Sequence, residues 1–222
     1  MYIQSMKTIL KITKNELSTL FYSPIAWLIL IIFTFQSGMA YAEAWADALR
    51  SQALGYTVYG ATERLLLGWS GAISSMQEHL YLYIPLLTMG LMSQEYNRGS
   101  IKLLYSSPVT NKQIIFGKYL SMIIYALILV AILFIYYAFT AFTIKAIDTP
   151  FVMTALLGIF LMICAYAAIG LFMSSLTSYQ VVAAVGTLAI LASLNYIGNV
   201  GQDISFVRDI TYWLSISGRA DT

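Results

Sequence analysis

Charge is scarce in this sequence. Of its 222 residues only 10% are Asp, Glu, Lys or Arg, where a soluble domain carries about a quarter. The net charge of +2 is too small to draw a nucleic-acid partner. A single cysteine, Cys164, excludes an internal disulfide, and its place within an apolar run is that of a small core residue. One histidine, His79, and one cysteine cannot by themselves assemble a tetrahedral metal site, so no metal ligands are assigned. No G-x-x-x-x-G-K-[ST] stretch occurs, which removes the commonest phosphate cradle. No nucleophile, base and orienting group converge, so no catalytic residue is assigned either.

What is present is apolar sequence in long runs, 59% of the chain. Runs of 18 or more apolar residues with almost no charge read as membrane-crossing helices, because roughly 20 helical residues span the hydrocarbon core. Five such spans are visible, at 24–41, 70–92, 119–142, 151–173 and 180–197. The second is the least clean, since Gln77, Glu78 and His79 interrupt it. The expected fold is therefore all-α, a polytopic transmembrane helical bundle forming one domain over 1–222. Small residues Gly158, Ala165, Ala168 and Gly170 in the fourth span, with Ala183, Ala184 and Gly186 in the fifth, suit close helix packing. The many tyrosines and tryptophans fit the membrane-interface belts.

Residues 2–21 repeat at helical period. Tyr2, Met6, Ile9, Leu10, Thr13, Leu17, Leu20 and Phe21 share one face, while Lys7, Lys11 and Lys14 line the other. Such a basic amphipathic helix is suited to the headgroup plane, lysines toward anionic lipid. Ser23-Pro24 then breaks it and turns the chain into the bilayer. No short basic stretch, short apolar core and small-residue cleavage site occur in succession, so the first span is expected to stay in the membrane. The tail 198–222 is too polar to cross and is expected to lie at the extracytoplasmic interface.

Orientation follows from Lys and Arg. With the N-terminus inside, Lys7, Lys11, Lys14, Arg98, Lys102, Lys112 and Lys118 lie cytoplasmic, clustered at span ends. The loop they define, 93–118, is the most informative stretch. Ser107-Pro108 stops a first short helix. Thr110 caps a second, with Gln113 completing a capping box and Val109 and Ile114 placed as a hydrophobic staple. Basic residues and the apolar strip Ile101, Leu103 and Leu104 project from it, as a docking surface for a partner protein would.

The pattern Glu95-x-x-x-Gly99-Ser100-Ile101-x-x-Leu104-x-x-Ser107-Pro108-Val109, followed by Ile114 and Gly117-Lys118, resembles the coupling loop of ABC-2-type transporter permeases. The helix before Ser23-Pro24 is similar to that family's elbow helix. Within the family the chain looks most similar to the permease subunit associated with bacterial gliding motility. The resemblance implies a permease without catalytic activity, in the bacterial inner membrane, working with a separate ABC ATPase subunit. That subunit, not this chain, would bind ATP and Mg. A second permease copy or related membrane subunit would complete the unit.

It further implies that Glu95, Arg98, Gly99, Ile101, Lys102, Leu104, Ser107 and Pro108 couple ATPase motion to the spans. Family members carry six spans, so a sixth is expected beyond Thr222. A force-transmitting anchor of an envelope machine is the alternative to an exporter. Glu78 and His79, ionisable groups within a span, are candidates for a conduit, with a position near the outer headgroups as the plainer reading.

Overall fold

The computed structural model describes residues 2–54, 63–68, 71–100, 109–144 and 148–200, and among these it is helical with no strand. The first helix, α1, is Tyr2–Tyr22. Ser23 closes it and opens α2, Pro24–Ala53: the Ser23 hydroxyl accepts from the Ile25 N–H at 3.3 Å, and Pro24 takes the first turn, where its missing N–H costs nothing. Trp27 Nε1 donates to the Phe21 carbonyl at 2.8 Å and satisfies one of the acceptors that the end of α1 leaves open.

Helix α2 runs well past Tyr41, where the expected span ends. Its 30 residues make about 45 Å of helix, against about 30 Å of hydrocarbon. The extension carries exposed Glu43, Asp47 and Arg50, with Asp47 and Arg50 paired at 3.5 Å one turn apart. Hydropathy marks where lipid stops, and backbone hydrogen bonding carries the helix further. A π-helical turn, Glu63–Leu67, then buries Leu65 and Leu66 against α2 and α3.

Four helices among the described residues are long and apolar enough to cross a membrane: α2, α5 (Asn111–Thr143), α6 (Thr149–Leu176) and α7 (Gln180–Val200). The stretch 70–92 is built differently. It holds α3, Ala72–Thr88, then a run of turns, and α4, Ser93–Arg98, follows. The 17 residues of α3 make about 25 Å. Pro85 weakens its last turn by withholding an N–H. Short as it is, α3 is deeply enclosed, packing against α2, α6 and α7 through Ile73, Met76, Leu80, Ile84 and Leu87.

Helix α5 starts at Asn111, ahead of the apolar run, because the expected cap forms. Gln113 N–H donates to Thr110 Oγ1 at 3.4 Å, and Thr110 N–H donates to Gln113 Oε1 at 3.0 Å. Polar rungs then join α5 to α2. Tyr125 donates to the Ala26 carbonyl at 2.8 Å and Tyr136 to that of Thr34 at 3.1 Å, while Tyr41 and Thr140 share a bond of 2.7 Å. Partners rise in number together on both helices, so the two run parallel. These tyrosines lie between helices rather than in an interface belt, where hydrogen bonds hold helices that gain little from hydrophobic association in lipid. Of the small residues expected to allow close packing, Gly170 meets Thr88 and Gly186 meets Met173, whereas Gly158 faces open space.

Candidate functional site

The loop's root is at the end of the bundle where α1, α4 and the start of α5 meet. Its first fixed point is the break after α3. A helix end leaves carbonyls without partners, and a new start leaves N–H groups without acceptors. Ser174, buried on α6, serves both: its hydroxyl donates to the Met89 carbonyl at 2.9 Å and accepts from the Met92 and Ser93 N–H groups at 3.0 and 3.1 Å. Ser93 adds a hydroxyl bond to the same Met89 carbonyl. One turn before Ser174, Gly170 lets α6 lie directly on Thr88.

The second fixed point is electrostatic. Lys118, in the third turn of α5, is only 2% exposed. Its Nζ lies 2.6 Å from Glu16 Oε1 on α1 and 2.6 Å from Glu95 Oε1 on α4. A buried ammonium is tolerated only with carboxylates and hydrogen bonds around it, and here two helices supply them. Glu95 Oε2 is also buried and has no hydrogen-bond partner among the described residues. A cavity of about 260 Å³ opens beside the ion pairs, with Lys11, Asn15, Val109 and Ile114 in its wall.

Helix α1 reaches this position through the preceding residue of α5. A Cβ on Gly117 would lie 2.6 Å from Ile12 Cγ2, so only glycine admits so close an approach. Thr13, also buried, donates to the Gly117 carbonyl at 3.1 Å. The face that α1 packs inward keeps Thr13, Leu20 and Phe21 of the expected stripe but extends to Ile12 and Glu16, while Met6 and Leu10 are exposed beside Lys7, Lys11 and Lys14.

Of the residues assigned from sequence, Glu95 sits in the charged node, and Arg98 ends α4, exposed and beside Gln94. Gly99 caps α4 at φ +71°, a conformation that favours glycine. Ile101, Lys102, Leu104, Ser107 and Pro108 fall outside the described residues, as does the tail from 201 to 222. Glu78 is exposed on α3, and His79 Nδ1 lies 2.6 Å from the Ser75 carbonyl of its own helix. Among the described residues, no three of His, Cys, Asp and Glu gather where they could hold a metal ion.

Sequence reasoning missed Ser174, Glu16 and the burial of Lys118. A signal existed for the charges. Glu16 is the one acid in α1, and it stands four residues after Ile12 and four before Leu20, on the packed face. Lys118 stands where the apolar run of α5 begins.

The family model for the ABC-2 family transporter protein matches residues 10–204, which takes in α1 from Leu10 onward, the node and every long helix. The chain belongs to the ABC-2 transporter family. It is a multi-pass membrane subunit, the permease component of an ABC transporter rather than its nucleotide-binding subunit, in a class that pairs with an ABC ATPase. No curated protein and no solved structure matches it.

Proposed function

We propose that this ABC-2 permease forms one half of an ATP-driven exporter in the bacterial inner membrane. A separate ABC ATPase, holding ATP and Mg, drives it through α4 and the segment that follows. The observation that supports the reading best is the rooting of α4. This six-residue helix leaves the bundle after α3, yet it is tied to α6 by Ser174 and to α5 and α1 by Glu95 and Lys118. A segment that only spanned a gap would need no such anchorage.

On this reading the α1 end of the bundle is cytoplasmic. Helix α1 lies in the headgroup plane, with Lys7, Lys11 and Lys14 toward anionic lipid and Met6 and Leu10 reaching the acyl boundary. Arg98 and the residues after Gly99, Lys102 among them, meet the ATPase. A second permease copy or a related subunit closes the path.

Co-purification in mild detergent tests this. The permease should retain an ABC ATPase, and Arg98→Glu with Lys102→Glu should lower its recovery by about tenfold or more, as opposed charges do across an interface. Absence of any ATPase partner from the unaltered chain would sink the proposal. Reconstituted ATP turnover that ignores every solute would favour a force-transmitting anchor over an exporter.

A further inference from the structure

We propose that Lys118 is a positioning residue: a buried cation that clamps α1 and α4 to α5 so that a displacement of α4 moves all three together. The source of that displacement rests on the function proposed above; the clamp itself does not. Three observations carry it. Lys118 is 2% exposed, so its ammonium depends on the two carboxylates for its charge compensation. Its two partners come from different helices, each at 2.6 Å. Backbone packing at the neighbouring Gly117, through Ile12 and Thr13, holds α1 where Glu16 can reach.

Each limb has its own role. Separating a buried ammonium from its carboxylate is costly, so α4 does not slide past α5 while Glu95 holds Lys118. Without that limb α4 would keep its fastening to α6 through Ser174 and its packing on α6 and α7, but it would lose its ion pair to α5 and, through Lys118, its link to Glu16 on α1. The Glu95 limb is also the less fully compensated one, because Oε2 is buried with no hydrogen-bond partner among the described residues. It is therefore the limb expected to open first when the segment moves.

Hydrogen exchange on the full chain in lipid nanodiscs tests the clamp without any ATPase. Glu95→Gln should speed exchange in residues 93–98 by about tenfold and leave α1 unchanged. Glu16→Gln should do the reverse, loosening residues 9–20 alone. Lys118→Met should loosen both, and Lys118→Arg, which keeps the charge, should restore most of the protection. Equal loss across α6 and α7, or no change in α1 and α4, would overturn the clamp. Should Lys118→Met fail to fold, the two glutamine variants decide, since each leaves one ion pair in place.

The ATPase complex supplies a separate arm. Glu95→Gln should keep the ATPase bound while nucleotide-dependent changes in α5 exchange disappear. If those changes survive in Glu95→Gln, the clamp does not transmit. A chain that binds no ATPase at all counts against the proposed function, with the exchange result still judging the clamp.

Discussion

Replacing Gly170 by alanine should cost far more than one methyl group implies. The added Cβ would lie 2.1 Å from Thr88 Oγ1, 2.6 Å from Thr88 Cβ and 2.9 Å from Thr88 Cγ2. Carbon atoms pack best at about 3.5–4.0 Å, so α6 and α3 must part locally by about 1 Å. Overpacking of this kind typically costs about 1–3 kcal/mol. The same movement carries Ser174 away from the break, and its three bonds of 2.9–3.1 Å have little slack before hydrogen bonding fails. Weakening them adds about 1 kcal/mol, for a total of about 2–4 kcal/mol.

At roughly 2–4 °C per kcal/mol for a chain of this size, thermal melting in detergent should fall by roughly 4–16 °C. Thr88→Ala removes two of the three clashing atoms, so the penalty of Gly170→Ala should at least halve in that background. Thr88→Gly should remove nearly all of it. A double-mutant cycle reads this coupling directly. Melting of Gly170→Ala within about 1 °C of the parent, or a penalty unchanged by residue 88, would refute the close-contact reasoning.

Two further substitutions test the polar fastenings. Ser174→Ala leaves the Met92 and Ser93 N–H groups without their acceptor and should cost about 1–3 kcal/mol; hydrogen exchange at those two amides should accelerate, and unchanged exchange would show that water or a neighbour replaces the hydroxyl. Tyr125→Phe keeps the ring in place but removes its bond to the Ala26 carbonyl, so melting should report a loss of about 1 kcal/mol. A Tyr125→Phe chain as stable as its parent would mean that this rung between α2 and α5 contributes no net stability.

The helical membrane class was legible because lipid imposes a rule on sequence: backbone groups must be satisfied within each segment, and side chains must be apolar. Local chemistry was legible for the same kind of reason. Ser23-Pro24 and the Thr110–Gln113 box each depend on residues within three positions of one another, and both form. The helix lengths were not legible from hydropathy, which follows the solvent. Helix α2 continues through Glu43 and Asp47 and α5 begins at Asn111, since neither stretch contains a residue that stops a helix. The tyrosine rungs were misread as interface residues because a tyrosine suits a headgroup and a buried carbonyl equally well. Which one it meets depends on the neighbouring helix, and composition does not record that.

The site shows the same division more sharply. Glu95 and Lys118 both entered through the loop pattern, Lys118 as a basic residue at a span end with no partner assigned. Their pairing spans 23 residues of sequence, and the Lys118–Glu16 pair spans 102. Neither follows from a local pattern. What the structure adds is the reason both charges tolerate burial. A six-residue helix is too short to be stable from its own hydrogen bonds, because nucleation consumes most of what they give. Helix α4 therefore needs external fastening within its first turn. Ser174 fixes the backbone where it begins, and Lys118 fixes a side chain two residues on. Two fastenings to two different long helices determine both the position and the direction of α4. A hydrogen bond alone would set where the segment starts; the buried ion pair also sets which way it points.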